Sequence, residues 1–338
     1  MKNLSLFILV LTIITLVTSC NKNGDVSPKT ASTIYAGNDG SAPVYWKNNI
    51  ETVLPVTNNV NNTGASVNVI VKSGNDIYLG GFDGNLPVYW KNGIETTLPI
   101  LGSGNGGYYY NNPAYITTMG ISGSDIYCAG ADQYNAVFWK NGIEYQLPTT
   151  NNNNNYYYYN NLVNTMAISG TDVYFGGIDG NLPVYWKNGT EYFLPITSSN
   201  YYKNGSVQTM YISGNNIYFG GSDGYAAVYW LNGVENRLST NNSNSGGVIA
   251  MAISGTNVYF AGWDGNYSNT VYWKNGVEVS RSILNGGTVN TMVATTDGAY
   301  FAGSDGGNPV YWTQTTENIL PTVGNNLSGK VNAMLIAN

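Results

Sequence analysis

The residues able to do chemistry in this chain are mostly carboxylates, and their spacing argues against catalysis. The 338-residue chain holds nineteen acidic side chains, thirteen basic ones and no histidine. All seven glutamates (Glu51, Glu95, Glu144, Glu191, Glu235, Glu278, Glu317) recur at one point of a repeating unit. Seven aspartates (Asp39, Asp83, Asp132, Asp179, Asp223, Asp264, Asp305) recur at a second point. Asp76, Asp125, Asp172 and Asp297 mark a third, which leaves Asp25 outside the series. A reaction needs an acid and a base in unequal surroundings at one place. A carboxylate present in every repeat reads instead as scaffold. Asp before Gly is expected to bond the backbone of its own turn, and Glu95 to pair with Lys91 across a hairpin. Without histidine, Ser-His-Asp, Cys-His and His-metal sites are excluded. Paired carboxylates for glycoside hydrolysis would require two repeat positions to serve unequally, and nothing in the sequence distinguishes them. No enzymatic activity and no cofactor are therefore expected. The methionines Met119, Met166, Met210, Met251, Met292 and Met334 share one repeat position and read as packing, not as a metal site. An Asp turn offers one carboxylate plus carbonyls, enough for weak Ca²⁺ binding at most.

The elements that carry these residues follow from the period. Trp46, Trp90, Trp139, Trp186, Trp230, Trp273 and Trp312 recur at spacings of 44, 49, 47, 44, 43 and 39. Around each lies one unit, clearest from Val163 to Pro195: VNTMAISGTDVYFGGIDGNLPVYWKNGTEYFLP. Its β-branched and aromatic runs are four strands, VNTMAIS, DVYFGG, PVYWK and EYFLP, here called A to D. Ser-Gly, Asp-Gly and Asn-Gly separate them, and Asn-Gly favours a type I′ hairpin because both central residues need positive φ. Four short strands in about 45 residues mark a propeller blade. The first unit starts at strand B (Thr33 to Gly37), and the chain finishes with a lone strand A, Val331 to Ile336. Joined, they complete one blade and close the ring. The predicted fold is all-β, a seven-bladed β-propeller of four-stranded antiparallel blades over residues 31–338.

Ile77-Tyr78-Leu79-Gly80-Gly81 and Val173-Tyr174-Phe175-Gly176-Gly177, followed by aromatics such as Tyr89 and Trp90, resemble the kelch repeat. The Tyr and Trp are adjacent here, whereas kelch repeats separate them, and four repeats carry Ala-Gly for Gly-Gly. The chain also resembles propeller lipoproteins of Bacteroidota with YWKNG repeats. These resemblances imply a propeller and no particular ligand.

The first nineteen residues read as a lipoprotein signal peptide: Lys2, then apolar Leu4 to Val17, too short for a span of about 20 residues. Val17-Thr18-Ser19-Cys20 resembles the lipobox of bacterial lipoproteins, which implies lipid attachment at Cys20. Residues 20–30 read as a flexible tether. The expected location is the outer membrane, on its surface or its periplasmic side. Cys128 then has no partner for a disulfide. It stands where other repeats place Leu79, Phe175, Phe219, Phe260 and Phe301, and reads as a buried filler. Basic residues are spread thinly, so nucleic acid is not an expected partner.

Symmetry breaks in the connections from strand D to the next strand A. Three are rich in Asn and Tyr. They carry Tyr108, Tyr109 and Tyr110, then Tyr156, Tyr157, Tyr158 and Tyr159, then Tyr201 and Tyr202. In a propeller, D–A and B–C connections share one end of the ring and A–B and C–D turns the other. The Tyr loops and the Asp-Gly turns should therefore lie together. Tyr gives a flat apolar surface with a polar tip, and Asn adaptable hydrogen bonds, which suits glycans or glycoproteins. Low-complexity drift in tolerant loops is the competing explanation. The expected protein is a monomeric, non-catalytic binding propeller on a membrane lipid. A protein-interaction scaffold in an envelope complex and a structural surface protein are the alternatives.

Overall fold

The computed structural model describes residues 32–58, 64–101, 113–150, 161–197, 204–240, 245–265, 270–279, 286–313, 316–323 and 328–337. Cys20 and the stretches expected to be leader and tether belong to a separate unit, 1–31, outside these residues. The remainder is a β-propeller of seven four-stranded antiparallel blades, each ordered A-B-C-D. Blade four shows the pattern, with strands Leu162–Ser169, Asp172–Asp179, Leu182–Lys187 and Thr190–Phe193. Lys330–Ala337 pairs with Ser32–Asp39, so the C-terminal strand completes the first blade as expected.

One row of facing residues explains why the repeat needs its Trp. In blade four, Met166, Phe175, Trp186 and Glu191 stand opposite one another across the four strands. Blade three has Met119, Cys128, Trp139 and Glu144 in the same places. This row packs against the preceding blade. Leu147, Ala129 and Ala136 of blade three thus meet Val163, Phe175, Val184 and Trp186 of blade four. Seven such clusters occur, one per junction, and all seven Trp side chains are fully buried. Each buried aromatic contributes about 4–6 kcal/mol gross from some 150–250 Å² of buried surface. Stacked rings extend two of the rows: Tyr192 on Tyr185 and Tyr185 on Phe219 of blade five, each at 4.9 Å.

The Gly-Gly and Ala-Gly pairs have a steric cause. Strand A carries a bulge opposite them in every blade. A Cβ on the second glycine (Gly37, Gly81, Gly130, Gly177, Gly221, Gly262 or Gly303) would fall 1.8–2.1 Å from a strand A carbonyl oxygen. The first position faces the neighbouring blade, and Ala36, Ala129, Ala261 and Ala302 fit there. The C–D hairpins of blades one to six are type I′ as expected, with φ of 51° at Asn92 and 84° at Gly93.

Candidate functional site

The repeated carboxylates are placed by strands B and D, and the structure assigns them a duty the sequence did not suggest. Asp83 ends strand B of blade two and is fully buried. Its Oδ2 accepts the backbone N–H of Thr57 (2.8 Å) and of Asn58 (2.6 Å), which lie on the connection arriving from blade one. Glu95 of strand D accepts the Thr57 hydroxyl at 2.5 Å and the Asn58 amide at 3.1 Å. Trp90 donates Nε1–H to the Pro55 carbonyl at 2.8 Å. One Asp, one Glu and one Trp thus clasp the connection from the previous blade. Thr150 is held in the same way by Asp179 and Glu191, and Thr197 by Asp223 and Glu235. At Asp83 the expectation of a bond to its own turn is corrected: its donors come from the neighbouring blade. The N–H groups aimed at Asp83, Asp179 and Asp223 also oppose a cation there, and no group of three or more metal-ligating side chains occurs among the described residues.

The clasp concentrates negative charge. Glu144, Glu191 and Glu235 lie near the buried Asp132, Asp179 and Asp223 of their own blades. Burial, reinforced by the adjacent Asp, raises all three glutamates above the ordinary carboxylate range, Glu191 to about 7. Burial likewise raises Glu51 and Glu95.

The opposite end of the ring holds the lysines that finish strand C. Lys91 pairs with Asp76 at 2.9 Å, Lys140 with Asp125 at 2.8 Å and Lys187 with Asp172 at 2.7 Å. The expected Lys91–Glu95 pair is therefore corrected. Lys91 faces Ile94 in the ladder, while Glu95 faces Trp90 and serves the clasp. Each of these lysines also lies over a Tyr ring, Tyr78, Tyr127 or Tyr174, at 5.2–5.3 Å. The hydrogen bond from Lys lowers the carboxyl titration of Asp76, Asp125 and Asp172.

One acid departs from the repeat, contrary to the sequence reading. Where six Trp indoles donate to a backbone carbonyl of the incoming connection, Trp312 donates to Glu317 of its own blade at 2.8 Å. The cause is visible in the sequence: Arg281-Ser282 replaces the Leu-Pro that follows strand D in most other blades. Glu317 is exposed and accepts the Trp312 indole N–H.

The predicted ligand-binding residues, Tyr108, Tyr109, Tyr110, Tyr156, Tyr157, Tyr158, Tyr159, Tyr201 and Tyr202, lie outside the described residues. So does Arg281, whereas Arg237 ends strand D of blade five. The structure adds two aromatics at the same end of the ring. Tyr134 and Tyr225, in the B–C turns of blades three and five, are 46% and 67% exposed. Other repeats place Ser41, Asn85 and Asn181 there, and that exchange was the signal available in the sequence. A second unanticipated feature is a set of amides on the innermost strands. Asn68, Asn164, Asn290 and Asn332 each donate to a strand A carbonyl of the following blade at 2.8 Å. Thr117 does the same through its hydroxyl. Gln208 instead bonds Ser206, and Ile249 has no donor to offer, so the series stops at blades five and six. Cys128 is buried as expected, and burial pushes its thiol titration up, away from reactivity.

No protein-family model and no curated protein matches the chain. Among solved structures it is similar to the extracellular domain of the two-component system BT4673 from B. thetaiotaomicron. The identity is 12% over 87% of this chain and 39% of that one, with a TM-score of 0.48. A second structure of that extracellular domain gives 12% identity over 88% of this chain and 47% of that one, with a TM-score of 0.41. The protein YCF48 bound to a D1 peptide shows 11% identity, 60% and 65% coverage and a TM-score of 0.39. The chain thus spans less than half the length of the BT4673 domains.

Proposed function

We propose that this chain is a non-catalytic binding propeller, held on the outer membrane by a lipid on Cys20, that takes a glycan or glycoprotein on its D–A and B–C end. The observation that carries the reading is the exposure of Tyr134 and Tyr225 at that end, in turns where the repeat otherwise uses Ser or Asn. An exposed ring with a hydroxyl at its tip stacks on a sugar face and bonds its rim. The Tyr-rich connections that follow blades two, three and four join the same end by chain order. The commitment of the repeat acids to clasps and ion pairs supports the absence of catalysis.

The test is a glycan array probed with the mature chain carrying Cys20→Ser, beside a version with Tyr108–Tyr110 and Tyr156–Tyr159 replaced by Ser. Saturable binding by the parent alone supports the reading. Absence of binding by either chain, both folded, rejects the glycan and leaves a protein partner in an envelope complex as the occupant of that end.

A further inference from the structure

The two ends of the ring differ in charge and in what they attach to. Six lysines lie at the A–B and C–D end. Lys47, Lys91, Lys140, Lys187 and Lys274 finish or follow strand C, and Lys72 precedes an A–B turn. Four aspartates accompany them there, Asp76, Asp125, Asp172 and Asp297. The seven aspartates that close strand B belong to the opposite end, with Lys330 and Arg237 as the only basic residues described there, while the glutamates stand one residue inside the rim on strand D and reach the clasps from it. The lysine-bearing end also presents an apolar rim. Ile50, Ile94, Ile143, Val234 and Val277, each the first residue of a strand D, are 59–72% exposed.

The chain enters the propeller at that same end. Ser32 pairs with Ala337, and Ile34 stands opposite Lys47, where strand C runs into its C–D turn. Eleven residues lie between Cys20 and Ser32, a reach of at most about 40 Å. A propeller confined to that distance from a bilayer meets it at high effective concentration, so weak attractions suffice to orient it. Lysines near an anionic leaflet are drawn in and a cluster of carboxylates is repelled, both within a Debye length of about 8–10 Å. Exposed Ile and Val at the hairpin tips add apolar contact with the headgroup region.

We propose that the A–B and C–D end of the propeller rests on the surface of an anionic phospholipid bilayer, which turns the D–A and B–C end outward. The proposal depends on the lipid anchor at Cys20 set out above. It explains why the exposed Ile and Val recur at the hairpin end, where neither core nor clasp uses them. It also gives the aromatic end free access to a ligand away from the membrane.

The test uses the full lipidated chain on vesicles containing about 30% anionic phospholipid. A fluorophore is placed at Ile94→Cys, at Ile143→Cys or, as the control, at Tyr225→Cys, and the vesicles carry a quencher on their lipid headgroups. Cys128 is buried and stays unlabelled. The Ile94 and Ile143 labels should be quenched at least about twofold more than the Tyr225 label. That difference should shrink in about 0.5 M salt or on zwitterionic vesicles. Equal quenching at both ends, or stronger quenching at Tyr225, overturns the proposal, as does a difference that ignores lipid charge. Flotation of the chain with vesicles separates the premise from the inference. If Cys20→Ser floats as well as the parent, the anchor is wrong and the proposal falls with it. If flotation needs Cys20 but quenching is uniform, the anchor stands and the assignment of the membrane-facing end is wrong.

Discussion

A methyl group on Gly81 would sit 1.9 Å from the Ser66 carbonyl oxygen, so Gly81→Ala must push two strands apart. On Gly80 the same methyl meets the Met119 side chain, which can move. Gly81→Ala should therefore cost at least about 3 kcal/mol and Gly80→Ala clearly less, within the range of ordinary overpacking; chemical denaturation of the two variants checks the order. Trp186→Phe keeps most of the buried ring but removes the N–H donated to Pro148. The expected loss is about 1–2 kcal/mol, more than a change of apolar area alone would give. The glycine pattern was legible in the sequence, down to the tolerance for Ala at its first position. Its cause was not, because the bulge in strand A that crowds Gly81 leaves no mark in residue type.

At the scale of the element, the junction between blades is the unit that titrates. Asp179 and Glu191 both accept from Thr150, and Lys187 is engaged by Asp172. Burial raises Glu191 to about 7 in the folded protein, above its ordinary value near 4.5. A carboxyl raised on folding contributes stability below its unfolded value and loses it as pH rises through the folded one. The propeller should thus lose stability between about pH 4.5 and 7, the reverse of the usual acid denaturation. Glu191→Gln, which removes the titrating carboxyl, should flatten that slope, and Tm measured from pH 4.5 to 8 checks it. Asp172 runs the other way: Lys187 lowers it, so its contribution is present at neutral pH and fades on acidification. The strands, hairpins and blade closure were all readable from period and turn chemistry. The clasp was not. Its hydrogen bonds run from one repeat to the next, and a sequence in which Asp, Glu and Thr all recur cannot say which copy meets which.

Across the whole molecule, two chain segments close one blade. Removing 330–338 would strip the inner strand from blade one, with buried Val331, Ala333 and Met334, and expose the edge of Ser32–Asp39. Such a chain should show no cooperative thermal transition, whereas the intact one unfolds in a single step. The seven-fold plan was the most legible feature of all, because each blade repeats its Trp, its glycine pair and its hairpin. Least legible was the end proposed to bind a ligand. Tyr134 and Tyr225 are single exchanges in otherwise regular turns, and runs of Tyr and Asn draw the eye to loops instead. The central claim, an aromatic binding end opposite the lysine-bearing hairpins, is tested most directly by ligand affinity. The mature Cys20→Ser chain would be compared with Tyr134→Ser/Tyr225→Ser and with Ile94→Ser/Ile143→Ser on any glycan the parent captures. The account predicts at least about a tenfold loss for the tyrosine pair, some 1.4 kcal/mol, and an unchanged affinity for the isoleucine pair. Loss in the isoleucine variant with binding intact in the tyrosine variant would contradict it and move the site to the other end of the ring.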